Sequence, residues 1–146
     1  MKEMNKKGVT LIELVVVLVI IAIGAVLLAP NIGAWLPNYR LRSATRDIVS
    51  TMRSAQVKAV SNNTQYRVNF TANSYVLQRN SGGLWPNDGV LQTLPKGITI
   101  SANLLPDAKA VFNTDSTSSA GSITLQNTRG NTRTITLTAV TGRVNN

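Results

Sequence analysis

Hydrophobic and polar positions divide the chain into three stretches with different periods. Residues 9–29 are apolar apart from Thr10, Glu13 and a few small residues, so this run has no polar face. As a helix rising 1.5 Å per residue it is about 31 Å long, which matches the roughly 30 Å hydrocarbon core of a bilayer. Between residues 41 and 59 the apolar positions Leu41, Ala44, Ile48, Met52, Ala55 and Ala59 recur at spacings of three and four. That period predicts an amphipathic helix with one narrow seam, suited to packing on a sheet. After Ser61, Asn62 and Asn63 the period falls to two: Tyr66, Val68 and Phe70 alternate with Gln65, Arg67 and Asn69, and "TANS" turns the chain into "YVLQR". This is a hairpin signal, and further strands are predicted around residues 90–94, 98–101, 110–112, 123–126 and 132–138. The Gly-, Pro-, Asn- and Ser-rich segments "SGGLWPNDG" and "NTDSTSSAG" separate them as turns. The pattern predicts an α+β chain in which a long N-terminal helix, half apolar and half amphipathic, packs on an antiparallel β-domain.

Pro30 stands just past the apolar run and lacks the backbone donor that a regular helix needs, so a kink is expected there. Asn31, Gly33 and Pro37 should weaken the helix further, leaving a bent or partly melted connector. Trp35 and Tyr39 suit the outer membrane interface.

Charge refines this picture. Lys2, Lys6 and Lys7 precede the apolar run and no basic residue follows it before Arg40. By the positive-inside rule the N-terminus is cytoplasmic and the remainder is exported. A cleaved secretory signal would also have a basic start, with its cut near residues 28–29, but the run is longer than the usual 7–15 residues or so of such signals. It also contains Glu13. A carboxylate inside a membrane span costs roughly 2.5–3.5 kcal/mol on insertion scales, so Glu13 needs a partner or a purpose. Over the whole chain 15 Lys and Arg stand against 6 Asp and Glu, a formal charge of +9 that favours anionic partners. Arg42, Arg46 and Arg53 fall on one side of the amphipathic helix, away from its seam, as a solvated face that could meet acidic neighbours. The chain has no Cys and no His, which excludes disulfides, thiol nucleophiles and Ser-His-Asp relays. With no phosphate-cradling Gly loop and no recognisable carboxylate pair, the expectation is a protein that is not an enzyme and needs no cofactor or metal.

"KKGVTLIELVVVLVIIAIG" resembles the class III signal of type IV pilins and type II secretion pseudopilins, in which basic residues and a Gly precede an apolar helix with Glu at the fifth mature position. The resemblance implies cleavage by a prepilin peptidase between Gly8 and Val9 and N-methylation of Val9, where the family more often has Phe or Met. It also gives Glu13 a purpose, compensation of the new Val9 amine within its own helix or on a neighbouring subunit during fibre assembly. The implied organisation is a cleaved leader over residues 1–8, a transmembrane and assembly helix with a Pro kink over 9–36, an amphipathic helix over 37–63 and a β-rich periplasmic headgroup over 64–146.

Further along, "RLRSATRDIVSTMRSAQVKAVSNNTQYRV" and the later "GSITLQN" and "TRTITLTAVTGRV" are similar to the GspH/FimT family of minor pilins and pseudopilins. Membership implies a type IV pilin-like fold with two β-sheets, and a minor pseudopilin of a type II secretion system near the tip of a periplasmic pseudopilus that helps export folded proteins. The implied partners are the prepilin peptidase, other pilin or pseudopilin subunits and an inner-membrane assembly platform. The implied location is the bacterial inner membrane, crossed once, before extraction into the fibre. The alternative is a FimT-like minor pilin of a type IV pilus with a DNA-uptake function. Some FimT-like proteins carry a C-terminal Gly-Arg-X-Arg motif for DNA, and the matching residues here are Gly142, Arg143, Val144 and Asn145, without the second Arg. Arg129 and Arg133 could restore a patch with Arg143 if all three face one way. Asp88, Asp107 and Asp115 are loop acids that could individually meet a cation, without the calcium loop usual in major pseudopilins.

Overall fold

A computed structural model describes residues 9–28, 32–139 and 143–145. Its chain falls into two units, residues 1–35 and 36–146. In the first, helix α1 (Leu11–Leu28) is apolar on every side and, Gly24 apart, exposed wherever its side chains are described. Its first turn is capped by Thr10, whose carbonyl accepts from the amides of Glu13 and Leu14 at 3.1 and 3.2 Å. The Thr10 hydroxyl lies 3.3 Å from the same Glu13 amide. Thr10 and Glu13 thus occupy the two ends of a T-x-x-E capping box.

Helix α2 (Ile32–Ser61) contains both Gly33 and Pro37. The expected weakening at these two residues is therefore not a break. Pro37 falls early in the helix and the residue four positions before it, which the proline ring would crowd, is a glycine. The kink expected at Pro30 lies outside the described residues. At its other end α2 stops in a Schellman motif: Asn63 takes a left-handed φ of 47°. The amides of Thr64 and Asn63 reach back to the carbonyls of Ala59 and Val60 at 3.2 and 3.3 Å.

Two four-stranded antiparallel sheets make up the rest of the headgroup. The first, in the order β3 (Gln92–Thr93), β2 (Ser74–Arg79), β1 (Tyr66–Phe70) and β5 (Lys109–Phe112), contains the predicted hairpin. The second runs β4 (Ile98–Asn103), β6 (Gly121–Asn127), β7 (Thr132–Thr138) and β8 (Arg143–Asn145). The chain enters the second sheet at β4, returns to the first for β5 and crosses back for β6, so neither sheet is complete without the other's connections. The strand expected over 90–94 contracts to Gln92–Thr93, because Val90 and Leu91 are exposed in the loop and Pro95 ends the segment.

One core joins these layers. All six positions of the helical seam are at most 3% exposed. They meet Tyr66, Val68, Phe70 and Leu77 from the first sheet and Ile123, Leu125, Ile135, Leu137 and Val144 from the second in a single cluster. Thr45, also fully buried on α2, satisfies its hydroxyl by donating to the Leu41 carbonyl at 2.7 Å. Arg42, Arg46 and Arg53 are exposed on the opposite face of the helix.

Candidate functional site

Two separate regions carry the residues of interest, one in each unit. In the N-terminal unit Val9 is 72% exposed and Glu13 lies in the first turn of α1. A carboxylate at this end is favoured by the helix dipole. Gly8 lies outside the described residues. Sequence reasoning missed Thr10 as the cap, although T-x-x-E was its signal. Leu11, Ile12, Ile20, Ile21 and Val26 are each more than 60% exposed in the single chain. An unbroken apolar surface of this kind requires lipid or other protein around it. Among the described residues no helix is long and apolar enough to cross a membrane. The 18 residues of α1 rise about 27 Å, and the expected span ended at residue 29, outside the described residues.

In the headgroup the three positions considered for nucleic acid are spread along β7 and the turn before it. Arg129 sits in the turn between β6 and β7, and Arg133 pairs with Leu125 near the start of β7. Position 143 pairs with Thr138, at the far end of β7, five residues or about 17 Å along the strand from Arg133. Gly142 is outside the described residues. The β6–β7 turn is tied to the start of α2, since the side-chain amides of Asn127 and Asn131 donate to Asn38 Oδ1 at 3.0 and 2.7 Å. Arg129 and Arg133 thus lie at the end of the headgroup where the chain enters, not at its outer end.

The loop acids are also apart. Asp88 pairs with Lys58 at 2.6 Å and Asp107 faces Lys109 at 3.7 Å. The Asp115 carboxylate accepts from the Thr117 hydroxyl at 2.6 Å and amide at 3.1 Å, which holds its pKa below the ordinary carboxylate value. Among the described residues there is no group of three or more His, Cys, Asp or Glu able to hold a metal ion.

The outer face of the first sheet is more ordered than its sequence suggested. Arg67 Nε donates to Gln78 Oε1 at 2.7 Å, and the guanidinium stacks on Trp85 at 4.2 Å from the ring centre. Partial burial lowers its pKa from the usual arginine value. In the adjacent row Asn80, Gln65 and Asn113 form a ladder of side-chain amides, with bonds of 3.1 and 2.8 Å.

Residues 4–29 match the prokaryotic N-terminal methylation motif, which implies a membrane-anchored N-terminus. Residues 44–141, more than half of the chain, match the family described as Type II transport protein GspH. The chain belongs to the GspH family. The GspH match begins on α2 and takes in both sheets, so it rests on the same seam and strands that build the core. Its fold is shared with the minor pseudopilin EpsH from the type 2 secretion system of Vibrio cholerae, at a TM-score of 0.63 and 8% sequence identity. That similarity covers 73% of this chain and 94% of EpsH. No curated protein matches the chain in sequence.

Proposed function

We propose that this GspH-family chain is a minor pseudopilin, a structural subunit near the tip of a type II secretion pseudopilus. The family match over the headgroup carries this reading. An apolar helix exposed on all sides and headed by Thr10, Glu13 and the methylation motif supports it. Such a helix has two uses in sequence: lipid surrounds it while the subunit waits in the inner membrane, and neighbouring α1 helices surround it in the fibre. Cleavage between Gly8 and Val9 and methylation of the new amine prepare the second use. The headgroup is periplasmic, and the partners are the prepilin peptidase, the other subunits and the assembly platform. The chain acts by packing and not by catalysis.

Glu13 is the residue that changes partner between these states. In the fibre its carboxylate compensates the ammonium of Val9 on its own or a neighbouring chain, at low dielectric. Glu13→Ala makes the segment more apolar, so insertion and leader removal should persist while recovery of the subunit in sheared fibres falls severalfold. Equal recovery of variant and wild type would remove Glu13 from assembly.

A further inference from the structure

At the end of the headgroup where α2 begins, Pro37, Arg40, Lys96, Gly97, Ile98 and Thr128 enclose an open groove of about 270 Å³. Arg40 Nη1 donates to the Lys96 carbonyl at 3.2 Å, which holds the helix against the approach to β4. Gly97 turns the chain there with a φ of 86°, and a Cβ at this position would stand 3.0 Å from Thr128 Cγ2. The groove is thus built by backbone, with an apolar floor of Pro37 and Ile98 and two cations at its margin.

The distribution of charge around it is one-sided. Neither Arg40 nor Lys96 makes an ion pair among the described residues, and Arg133 lies nearby at the start of β7. The four headgroup acids are elsewhere. Asp88 is engaged by Lys58, Asp107 faces Lys109 and Asp115 is bound by Thr117. Asp47, the nearest along α2, is seven residues from Arg40, about 10 Å at the helical rise, and does not line the groove. A site with an apolar floor, cationic margin and no carboxylate in its lining fits an amphiphilic anion.

We propose that this groove receives the headgroup of an anionic phospholipid from the leaflet in which α1 ends. The phosphate meets Arg40 and Lys96, and the glycerol and first acyl carbons lie on Pro37 and Ile98. The assignment rests on the anchoring of the N-terminal helix proposed above. The tether is short in sequence: Pro37 follows Leu28, the last residue of α1, by only nine residues. Such contact would hold the headgroup down on the membrane before extraction, and pulling the subunit into the fibre would have to break it. Double-stranded DNA would instead need a cationic stripe longer than this groove, whose lining holds only two cations, Arg40 and Lys96.

The full chain incorporated in lipid nanodiscs tests the proposal by amide hydrogen exchange. In discs containing phosphatidylglycerol, amides 96–98 and 128–131 should exchange more slowly than in discs of phosphatidylcholine alone. The effect should be about fivefold for each cation engaged, and high salt should abolish it. Arg40→Ala with Lys96→Ala should remove the difference while β6 and β7 core amides keep their protection. If the double variant loosens the core, Lys96→Gln and the salt dependence of the wild type give the same readout. Equal exchange in both kinds of disc overturns the lipid site and leaves the anchor standing. Failure of the chain to enter discs overturns the anchor and the lipid site together. A duplex oligonucleotide that protects these amides in phosphatidylcholine discs more than phosphatidylglycerol does would reassign the groove to nucleic acid.

Discussion

At the scale of single residues, the headgroup is stabilised by groups whose environment differs sharply from water. Tyr75 is buried in the core, where burial chiefly raises its pKa; nearby Asp47 adds to the shift and the hydrogen bond to the Thr51 side chain opposes it. A phenol whose folded pKa lies above its unfolded value contributes stability that is complete below the unfolded value near 10. That contribution is lost as pH rises through the higher folded value. The stability of the detergent-solubilised chain should therefore fall above about pH 10, and Tyr75→Phe should flatten that fall in urea titrations followed by circular dichroism. Identical alkaline profiles for variant and wild type would show that ionisation of Tyr75 is not coupled to folding. Residue-level meaning was only partly legible in the sequence. The seam from Leu41 to Ala59 was, because burial follows a period of three and four, and all six positions are buried. The stacking of Arg67 on Trp85 was not, because it joins residues 18 positions apart through the fold of a loop.

At the scale of elements, local pattern found the hairpin of β1 and β2 and the strands β4 to β7, since each carries its own alternation or apolar run. It did not find β8, whose three residues are too few to show a period and which exists by pairing with β7. The division into two sheets and the crossing of β4, β5 and β6 between them also escaped the local pattern, because pairing is a long-range property. Those crossings depend on tight packing at Gly121, where an added Cβ would stand 2.7 Å from the Leu104 carbonyl oxygen and 2.8 Å from Leu105 Cδ2. A backbone oxygen cannot retreat as a flexible side chain can. Gly121→Ala should therefore destabilise the headgroup by roughly 1–3 kcal/mol in chemical unfolding. An unchanged midpoint would mean that the start of β6 moves aside freely. Gly130, in open space with a φ of 82°, should respond only through its backbone conformation.

At the scale of the whole chain, a methylation motif at residues 4–29 precedes a GspH headgroup at 44–141. Processing should remove the first eight residues and add one methyl group, so intact mass of the chain from a host with prepilin peptidase should show a methylated Val9 terminus. A retained leader, or a terminus at Pro30, would contradict this. The organisation of the candidate site was legible at its N-terminal end, where Glu13 interrupts an apolar run, and much less so in the headgroup. Whether Arg129, Arg133 and Arg143 shared a surface depended on strand register, which places 133 and 143 at opposite ends of β7.

The pseudopilus reading and its pilus alternative share the leader, the apolar helix and the chemistry of assembly, and they part in what the fibre does. Deleting this chain in its own host and measuring extracellular protein alongside surface piliation and DNA uptake separates them. For a pseudopilin, folded substrates of the type II pathway should accumulate in the periplasm and disappear from the medium, with restoration by the wild-type chain and little by Glu13→Ala, while piliation and DNA uptake continue. Normal secretion with loss of pili or DNA uptake would contradict the pseudopilus reading.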